Sequence, residues 1–208
     1  KEAVKDADLV SESVPEDEKI KTQFYKELGS IAPSKTIFTT NSSTTVPSQY
    51  ADITGRPEKF LALHFANGIW DQNIAEVMKH PGTAEHVFEQ VVSFSEQMGM
   101  EPIRIHKEQS GYVLNSLLIP LLMAATDLLM NKVAVQEDID KTWKISTKSE
   151  MGPIAIMDLI GMQTMYNVAM LWGQKSKDPQ MLARADFYKN YIDQGKLGMS
   201  VGEGFYKY

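Results

Sequence analysis

The strongest constraint on the fold is a change in the hydrophobic pattern near residue 108. Before that point, short β-like runs alternate with stretches whose apolar residues recur at helical spacing. After it, the apolar residues follow helical spacing with few strand-like runs between them. We therefore predict an α/β domain over residues 1–107, followed by an all-α domain over residues 108–208.

The individual elements follow from these local patterns. In the first part the order strand, helix, strand, turn, strand predicts a sheet with crossover connections. We expect its strands at residues 8–14, 36–40, 60–65, 74–78 and 102–105, and its helices at 16–28 and from Thr83 to Gly99. In the second part we expect helices at residues 112–132, 135–145, 153–172 and 179–194.

Charge and composition narrow the classes of partner. The 208 residues carry a net charge of −6, which disfavours nucleic acid and anionic membranes because both reward a basic surface. The absence of cysteine excludes disulfides, thiolate metal sites and cysteine nucleophiles, and we expect a cytoplasmic protein. The uncharged run Gln109–Thr126 contains Asn115 and Pro120, so we predict a buried helix rather than a membrane span.

A phosphate-binding glycine loop is not found in these residues. A nucleotide-binding α/β sheet normally begins with a strand and the turn G-x-G-x-x-G, whose amides hold a pyrophosphate. The only Gly-x-Gly here is formed by Gly202 and Gly204, near the end of the chain, without the third glycine. We therefore expect a partial sheet that lacks the first βαβ unit.

The run LALHFANGIWDQNIAEVM (61–78) contains the residues with the most evident chemistry. His64 can act as a general base if a carboxylate orients its second nitrogen, and Glu76 can do so if strands 60–65 and 74–78 are neighbours. Asn67 can donate to a substrate carbonyl. A single histidine in an apolar strand is, however, more often a buried structural residue, and the turn Asn41–Ser43 is by itself an ordinary turn. Both interpretations stay open on spacing alone.

Eight stretches together resemble the 3-hydroxyacyl-CoA dehydrogenase family, and the bacterial 3-hydroxybutyryl-CoA dehydrogenases most nearly. They occur in the family's order and extend over essentially the whole chain. They are ADLVSESVPED (7–17), TTNSS (39–43), LHFAN (63–67), AEVM (75–78), SGYVLNSLLIP (110–120), EDIDK (137–141), MGPIAIMDLIGM (151–162) and GKLGMSVGEGFYKY (195–208).

The resemblance implies an NAD-binding Rossmann-type domain followed by a helical domain that forms a homodimer. It implies oxidation of an L-3-hydroxyacyl-CoA to the 3-oxoacyl-CoA, or the reverse, with NAD as cofactor and no metal. The implied catalytic residues are His64 as base, Glu76 as its partner, Ser43 and Asn115. Substrate contacts are implied for Ser43, Asn67 and Asn115, and cofactor contacts for Ser13, Glu16, Lys21 and Asn41.

Two departures from the family pattern affect these expectations. Family members usually read H-F-F-N-P, whereas this chain has His64-Phe65-Ala66-Asn67-Gly68, with Trp70 close behind. The first nucleotide-binding segment is also missing, so we expect a truncated form that binds NAD poorly. Two alternatives remain: a sugar-acid dehydrogenase of the L-gulonate 3-dehydrogenase kind, and a non-catalytic helical dimerisation module.

Overall fold

The computed structural model describes residues 2–66 and 68–208, and the chain divides into two compact units. The first unit ends at Ser116 and the second begins at Leu117. This division lies nine residues beyond the domain boundary that the sequence predicts at 107/108. The predicted fold class is confirmed: a mixed sheet with helices is followed by an all-helical part.

Over residues 2–66 and 68–116, the first unit contains five strands and two long helices. Its elements are β1 (Leu9–Glu12), α1 (Glu18–Ile31), β2 (Ile37–Thr40), β3 (Phe60–Phe65), β4 (Ile74–Met78), α2 (Glu85–Gln97) and β5 (Glu101–Ile105). Three short 3₁₀ turns, Pro47–Gln49, Asp52–Thr54 and Pro57–Lys59, connect β2 to β3. Helix α1 begins because the Asp17 carboxylate accepts from the backbone N–H groups of Lys19 and Ile20.

The sheet order is β1-β2-β3-β4-β5, so each strand lies beside its neighbours in the chain. Strands β1, β2 and β3 are parallel, β4 runs antiparallel to β3, and β5 is parallel to β4. The carboxyl ends of β1, β2 and β3 and the amino end of β4 therefore share one edge of the sheet. Ligands of open α/β sheets bind at such a carboxyl edge.

Alternation along β3 decides which side chains face which layer. Leu61 and Leu63 pack with Val87 and Val91 of α2 in one buried cluster. Ala62, one position out of phase, belongs to a different cluster together with Met78, Ile105 and Tyr112. His64 shares its face with Ala62, so the strand carries it on the side of the sheet opposite to α2.

The second unit is built from helices. Helix α3 (Leu114–Met130) leads into it from the first unit, and α4 (Gln136–Thr147), α5 (Pro153–Ile160), α6 (Met162–Ser176) and α7 (Pro179–Asp193) follow. The prediction of one helix over 153–172 is wrong, because α5 and α6 meet at an angle of 97°. Gly161 separates them with φ 94°, a left-handed backbone that a continuing helix does not contain.

Two buried carboxylates organise this unit. Asp140 accepts from the backbone N–H groups of Ile154 and Ala155 and so holds the start of α5. Asp158 accepts from the N–H groups of Phe205 and Tyr206 and fixes the end of the chain. Both need adjacent glycines: a Cβ on Gly152 would lie 2.3 Å from Asp140, and one on Gly204 would lie 2.0 Å from Asp158.

Within the described residues, no single helix is long and apolar enough to cross a membrane. The bent pair α5–α6 passes that test only when its two helices are counted together.

Candidate active site

The histidine and the glutamate that the sequence singles out lie directly opposite each other in the sheet. His64 of β3 and Glu76 of β4 are partners in the antiparallel register, so their side chains share one face. His64 Nδ1 is 2.9 Å from Glu76 Oε2. Both side chains are buried, with relative exposures of 7% and 2%. The expectation that the two strands are neighbours is therefore confirmed.

The other oxygen of Glu76 is held by the backbone. Oε1 accepts from the N–H groups of Val113 and Leu114, at 2.8 and 2.9 Å, where α3 begins. The first N–H groups of a helix have no partner within the helix and attract negative charge. Burial raises the pKa of the Glu76 carboxyl, but the His64 hydrogen bond and these two N–H groups outweigh it and hold the pKa below its ordinary value.

This electrostatic arrangement determines which nitrogen of His64 carries a proton. An ionised Glu76 has only acceptor capacity, so His64 Nδ1 donates to it. In the neutral ring the lone pair is then on Nε2, the nitrogen directed away from Glu76. The pair therefore has the arrangement of a general base oriented by a carboxylate.

An aromatic ring covers one face of the imidazole. The Tyr112 ring is stacked on His64 with a centroid distance of 4.7 Å and an interplanar angle of 29°. Tyr112 is 1% exposed and belongs to the apolar cluster beneath the site. Burial, with the nearby charge of Glu76, raises the pKa of its phenol, so the ring stays neutral.

The polar turn after β2 is hydrogen-bonded to Glu16 and to Ser110, which lies two residues before Tyr112. The Ser42 hydroxyl donates to Glu16 at 2.9 Å and accepts from the backbone N–H of Thr45 at 3.0 Å. The Ser110 hydroxyl donates to the Thr44 carbonyl at 2.6 Å, which connects the turn to the segment preceding α3. The motifs TTNSS and SGYVLN are far apart in sequence and adjacent in the structure.

Two family models match the chain and together cover nearly all of it. The 3-hydroxyacyl-CoA dehydrogenase NAD-binding domain matches residues 1–109, and the C-terminal domain of the same family matches residues 111–208. The chain belongs to the 3-hydroxyacyl-CoA dehydrogenase family. The NAD-binding model indicates NAD as the cofactor.

Individual relatives agree at the level of the whole chain. Human mitochondrial hydroxyacyl-coenzyme A dehydrogenase is 33% identical over 99% of this chain, which spans 65% of that protein. The probable 3-hydroxybutyryl-CoA dehydrogenase of Bacillus subtilis is 30% identical over 100% of this chain and 71% of its own. The chain thus spans just under two thirds of the length of the human relative.

A solved diketoreductase, studied for catalysis on dicarbonyl compounds, is more similar. It is 52% identical with a TM-score of 0.93, covering 100% of this chain and 72% of its own. The (S)-3-hydroxybutyryl-CoA dehydrogenase of Ralstonia eutropha is 28% identical with a TM-score of 0.87, over 99% of this chain and 72% of its own.

The residues expected to meet the cofactor lie at the carboxyl ends of β1 and β2. Ser13 is exposed, and its hydroxyl accepts from Asn41 Nδ2 at 3.3 Å. Asn41 Oδ1 accepts from the Phe65 N–H at 2.9 Å, which fixes the amide against β3. The Glu16 side chain is 42% exposed. Hydroxyl, amide and carboxylate groups at this edge fit the ribose and carboxamide of a nicotinamide nucleotide.

Lys21 differs from its neighbours because its ammonium group points into the protein. It is 1% exposed and donates to both oxygens of Glu12, at 2.8 and 3.1 Å. Glu12 also accepts from the hydroxyls of Tyr25 and Thr40. Lys21 reaches Glu16 only at 3.8 Å. In this conformation it neutralises Glu12 and supports Glu16 rather than facing solvent.

Two of the three residues expected to contact substrate, Ser43 and Asn115, lie within the described residues. Ser43 is half-buried in the turn after β2, and Asn115 is half-buried in the first turn of α3. Neither side chain hydrogen-bonds to another residue within 2–66 and 68–208. Asn67 lies outside the described residues, so its predicted contact stays a prediction. The catalytic and binding roles of all these residues likewise remain predictions.

The segment between β3 and β4 contains a glycine with a left-handed backbone. Gly68, which stands where family members usually have proline, has φ 73°. Proline is confined to φ near −65°, so it cannot adopt this conformation. Trp70 follows in the same turn and is 91% exposed.

Sequence reasoning missed four residues that contribute to this site. The backbone N–H groups of Val113 and Leu114 carry no side-chain signal. Glu12 stands in the quoted run ADLVSESVPED, and a carboxylate at the end of a predicted strand is the signal that would have identified it. Tyr112 stands in the quoted run SGYVLNSLLIP, but no sequence pattern relates it to His64.

Proposed function

We propose that this chain carries the catalytic pair of an NAD-dependent 3-hydroxyacyl-CoA dehydrogenase. The reaction is oxidation of the 3-hydroxyl of an acyl-CoA thioester to a ketone, or the reverse reduction. The observation that carries the proposal is the buried His64–Glu76 pair, with Glu76 held by two backbone amides, in a chain that belongs to this family.

The proton chemistry follows from the geometry. In the oxidative direction, Nε2 of neutral His64 takes the proton of the substrate hydroxyl while Glu76 stabilises the resulting imidazolium. Bound NAD would supply the hydride acceptor for this oxidation. In the reductive direction, His64 returns the proton to the alkoxide oxygen. A positioned base of this kind contributes about 10² to 10⁴ in rate.

Polar residues around the pair would orient the reactants. Ser43 and Asn115 are the groups proposed to hydrogen-bond the 3-oxygen and to position the acyl chain, and Asn67 is proposed to contact the thioester. Ser13, Glu16 and Asn41 are proposed to hold the nicotinamide end of NAD, with Lys21 supporting Glu16. Ser13, Glu16, Asn41 and Ser43 are exposed or half-buried and follow β1 and β2 at the carboxyl ends of these strands, which supports their roles.

We also propose a homodimer formed through the helical part. Within the described residues of the second unit, several large apolar side chains are more than half exposed, an arrangement that favours association. They are Leu117, Val133, Val135, Ile145, Leu159, Leu171 and Val201. Sedimentation velocity should show a dimer, and a stable monomer at micromolar concentration would contradict this proposal.

A second candidate function is reduction of a small dicarbonyl compound without coenzyme A. The similarity of 52% to the diketoreductase supports it, against 28% to the Ralstonia 3-hydroxybutyryl-CoA dehydrogenase. The altered segment from Ala66 to Trp70 also supports it, because this segment follows His64 directly. Both candidates use the same base and differ in the group that lies next to the reacting carbonyl.

Steady-state kinetics on the full gene product would test these proposals. NADH consumption would be followed with acetoacetyl-CoA and with 2,4-pentanedione, and NADH formation would be followed with L-gulonate and NAD. A kcat/KM for acetoacetyl-CoA that is at least about tenfold higher than that for 2,4-pentanedione supports the first proposal. This ratio corresponds to a difference of about 1.4 kcal/mol in activation free energy. The opposite ratio favours the dicarbonyl candidate, L-gulonate turnover alone favours a sugar-acid dehydrogenase, and no turnover of any substrate contradicts all three.

A further inference from the structure

Tyr112 has an unusual backbone for an aromatic residue. Its φ is 55°, in the left-handed region, and the preceding Gly111 has φ 82°. Glycine adopts such angles freely, whereas a bulky L-residue does so only where the surrounding structure imposes it. Such outliers occur preferentially at functional sites, which makes Tyr112 a candidate for a specific role.

Hydrogen bonding does not explain why the side chain of Tyr112 is buried. Its hydroxyl is buried and has no hydrogen-bond partner within residues 2–66 and 68–208. Buried tyrosine hydroxyls normally find a partner, and leaving one unpaired is unfavourable. What the side chain does provide is a ring face stacked on the imidazole of His64 at 4.7 Å.

The backbone of Tyr112 acts on the other member of the pair. The two residues that follow it, Val113 and Leu114, are the ones whose N–H groups bind Glu76 Oε1. The left-handed residues Gly111 and Tyr112 belong to a turn in which the Tyr112 N–H donates to the Gln109 carbonyl at 3.0 Å, and this turn immediately precedes the two N–H groups that bind Glu76. The Ser116 hydroxyl donates to the Tyr112 carbonyl and fixes the same turn.

We propose that Tyr112 is a positioning residue that holds both His64 and Glu76. Its ring fixes the plane of the imidazole, and its left-handed backbone presents two amides to the carboxylate. The ring is the active part of the side chain, and the hydroxyl is dispensable. This inference rests on the proposed function, because positioning matters only if His64 transfers a proton.

Three substitutions of Tyr112 separate the ring, the hydroxyl and the backbone. Tyr112→Phe keeps the ring and should retain kcat. Tyr112→Leu keeps an apolar side chain without the stack and should lower kcat by about 10- to 100-fold with little change in KM, because the base is misoriented. Tyr112→Gly suits the left-handed backbone and removes the ring, so it should lower kcat as Tyr112→Leu does. NADH affinity should be the same in all three variants.

Ile105→Ala is the matched control for a merely structural role. Ile105 belongs to the same apolar cluster as Tyr112 and does not touch the pair through any described hydrogen bond. The substitution should lower the melting temperature while leaving kcat per folded molecule unchanged. If Tyr112→Leu and Tyr112→Gly lose no more activity than Ile105→Ala, Tyr112 is only a core residue and the inference is wrong.

An NMR measurement keeps this test independent of turnover. The chain has four histidines, so the Nδ1–H proton of His64 is assignable by comparison with a His64→Gln variant. This proton should exchange slowly in the wild type and in Tyr112→Phe, and rapidly in Tyr112→Leu and Tyr112→Gly. If the wild type is active and Tyr112→Leu and Tyr112→Gly change neither the exchange rate nor kcat, the inference is wrong and the proposed function stands. Absent turnover with the expected exchange pattern overturns the proposed function and leaves the positioning supported.

Discussion

Glu76 in the first unit and Asp158 in the second are two buried carboxylates that use the same backbone device for different purposes. Each is 1% exposed, and each accepts two backbone N–H groups from a distant segment. Asp158 completes its bonding with the Tyr208 hydroxyl, at 2.9 Å. Glu76 takes both N–H groups on one oxygen and leaves the other for His64.

The difference between them lies in the third partner. A tyrosine hydroxyl keeps its proton near neutral pH, so Asp158 serves to hold the chain in place. An imidazole gains and loses a proton in that range, so the same arrangement around Glu76 becomes a device for controlling a proton. A buried carboxylate with two amide donors is therefore not by itself a sign of catalysis, and the identity of its third partner decides its role.

The largest expected effect is on turnover and comes from His64. His64→Ala should lower kcat by about 10² to 10⁴, because the base is removed while the fold is kept. NADH affinity, measured by fluorescence titration, should stay unchanged. His86→Ala is the control, since His86 is exposed on α2 and should have wild-type kcat. Equal activity in both variants would remove His64 from the mechanism.

Glu76→Gln should lower kcat by a factor on the order of 10², by leaving the wrong ring nitrogen protonated. The glutamine Oε1 still accepts from Val113 and Leu114, so its NH₂ group faces His64 and donates to Nδ1. Nε2 then carries the proton of the neutral ring and cannot act as a base. Kinetics with circular dichroism would show a folded enzyme of low kcat, and unchanged kcat would contradict the assigned tautomer.

Asp158→Ala should affect stability rather than chemistry. The substitution leaves the N–H groups of Phe205 and Tyr206 without their acceptor, at a cost of about 1–3 kcal/mol for each group that stays buried. Urea denaturation should show a reduced free energy of unfolding, while kcat per folded molecule is retained. A fall in kcat comparable to that of Glu76→Gln would erase the proposed distinction between the two carboxylates.

The smallest effect concerns stability in acid. Since the folded-state pKa of Glu76 is below its ordinary value of 4.5, the ionised carboxylate contributes its full stabilisation of the fold above that pH. This contribution is lost as the pH falls through the lower, folded-state pKa. Below about pH 5, the difference in unfolding free energy between wild type and Glu76→Gln should therefore shrink as the pH falls through the folded-state pKa of Glu76. A constant difference down to pH 3 would show that Glu76 is not ionised in the fold.

Local sequence patterns predict most of the strands and helices, whereas they do not predict contacts between distant segments. The bounds of β3 and β4 match the predicted runs 60–65 and 74–78, because each is a short apolar run between turn residues. The break at Gly161 was missed because apolar spacing continues on both sides of it. The sequence predicts that Glu76 meets His64 only if the two strands are neighbours. Local patterns do not establish which strands are neighbours.

The remainder of the site depends on long-range geometry. The amides of Val113 and Leu114 lie 37 and 38 residues from Glu76 in the chain. Their direction depends on the left-handed turn at Tyr112, and no hydrophobic period predicts a positive φ at an aromatic residue. The burial of Lys21 on Glu12 likewise requires knowing that β1 and α1 pack together.

The antiparallel pairing of β3 and β4 has a consequence for how new enzymes arise from this scaffold. His64 and Glu76 are fixed by strand register, whereas residue 66 and residues 68–73, which lie between the two strands, are not paired in that register. We therefore expect exchange of this short segment between homologues to leave the His64–Glu76 pair in place. Residues 66–73 are accordingly the first region to randomise in directed evolution of this scaffold.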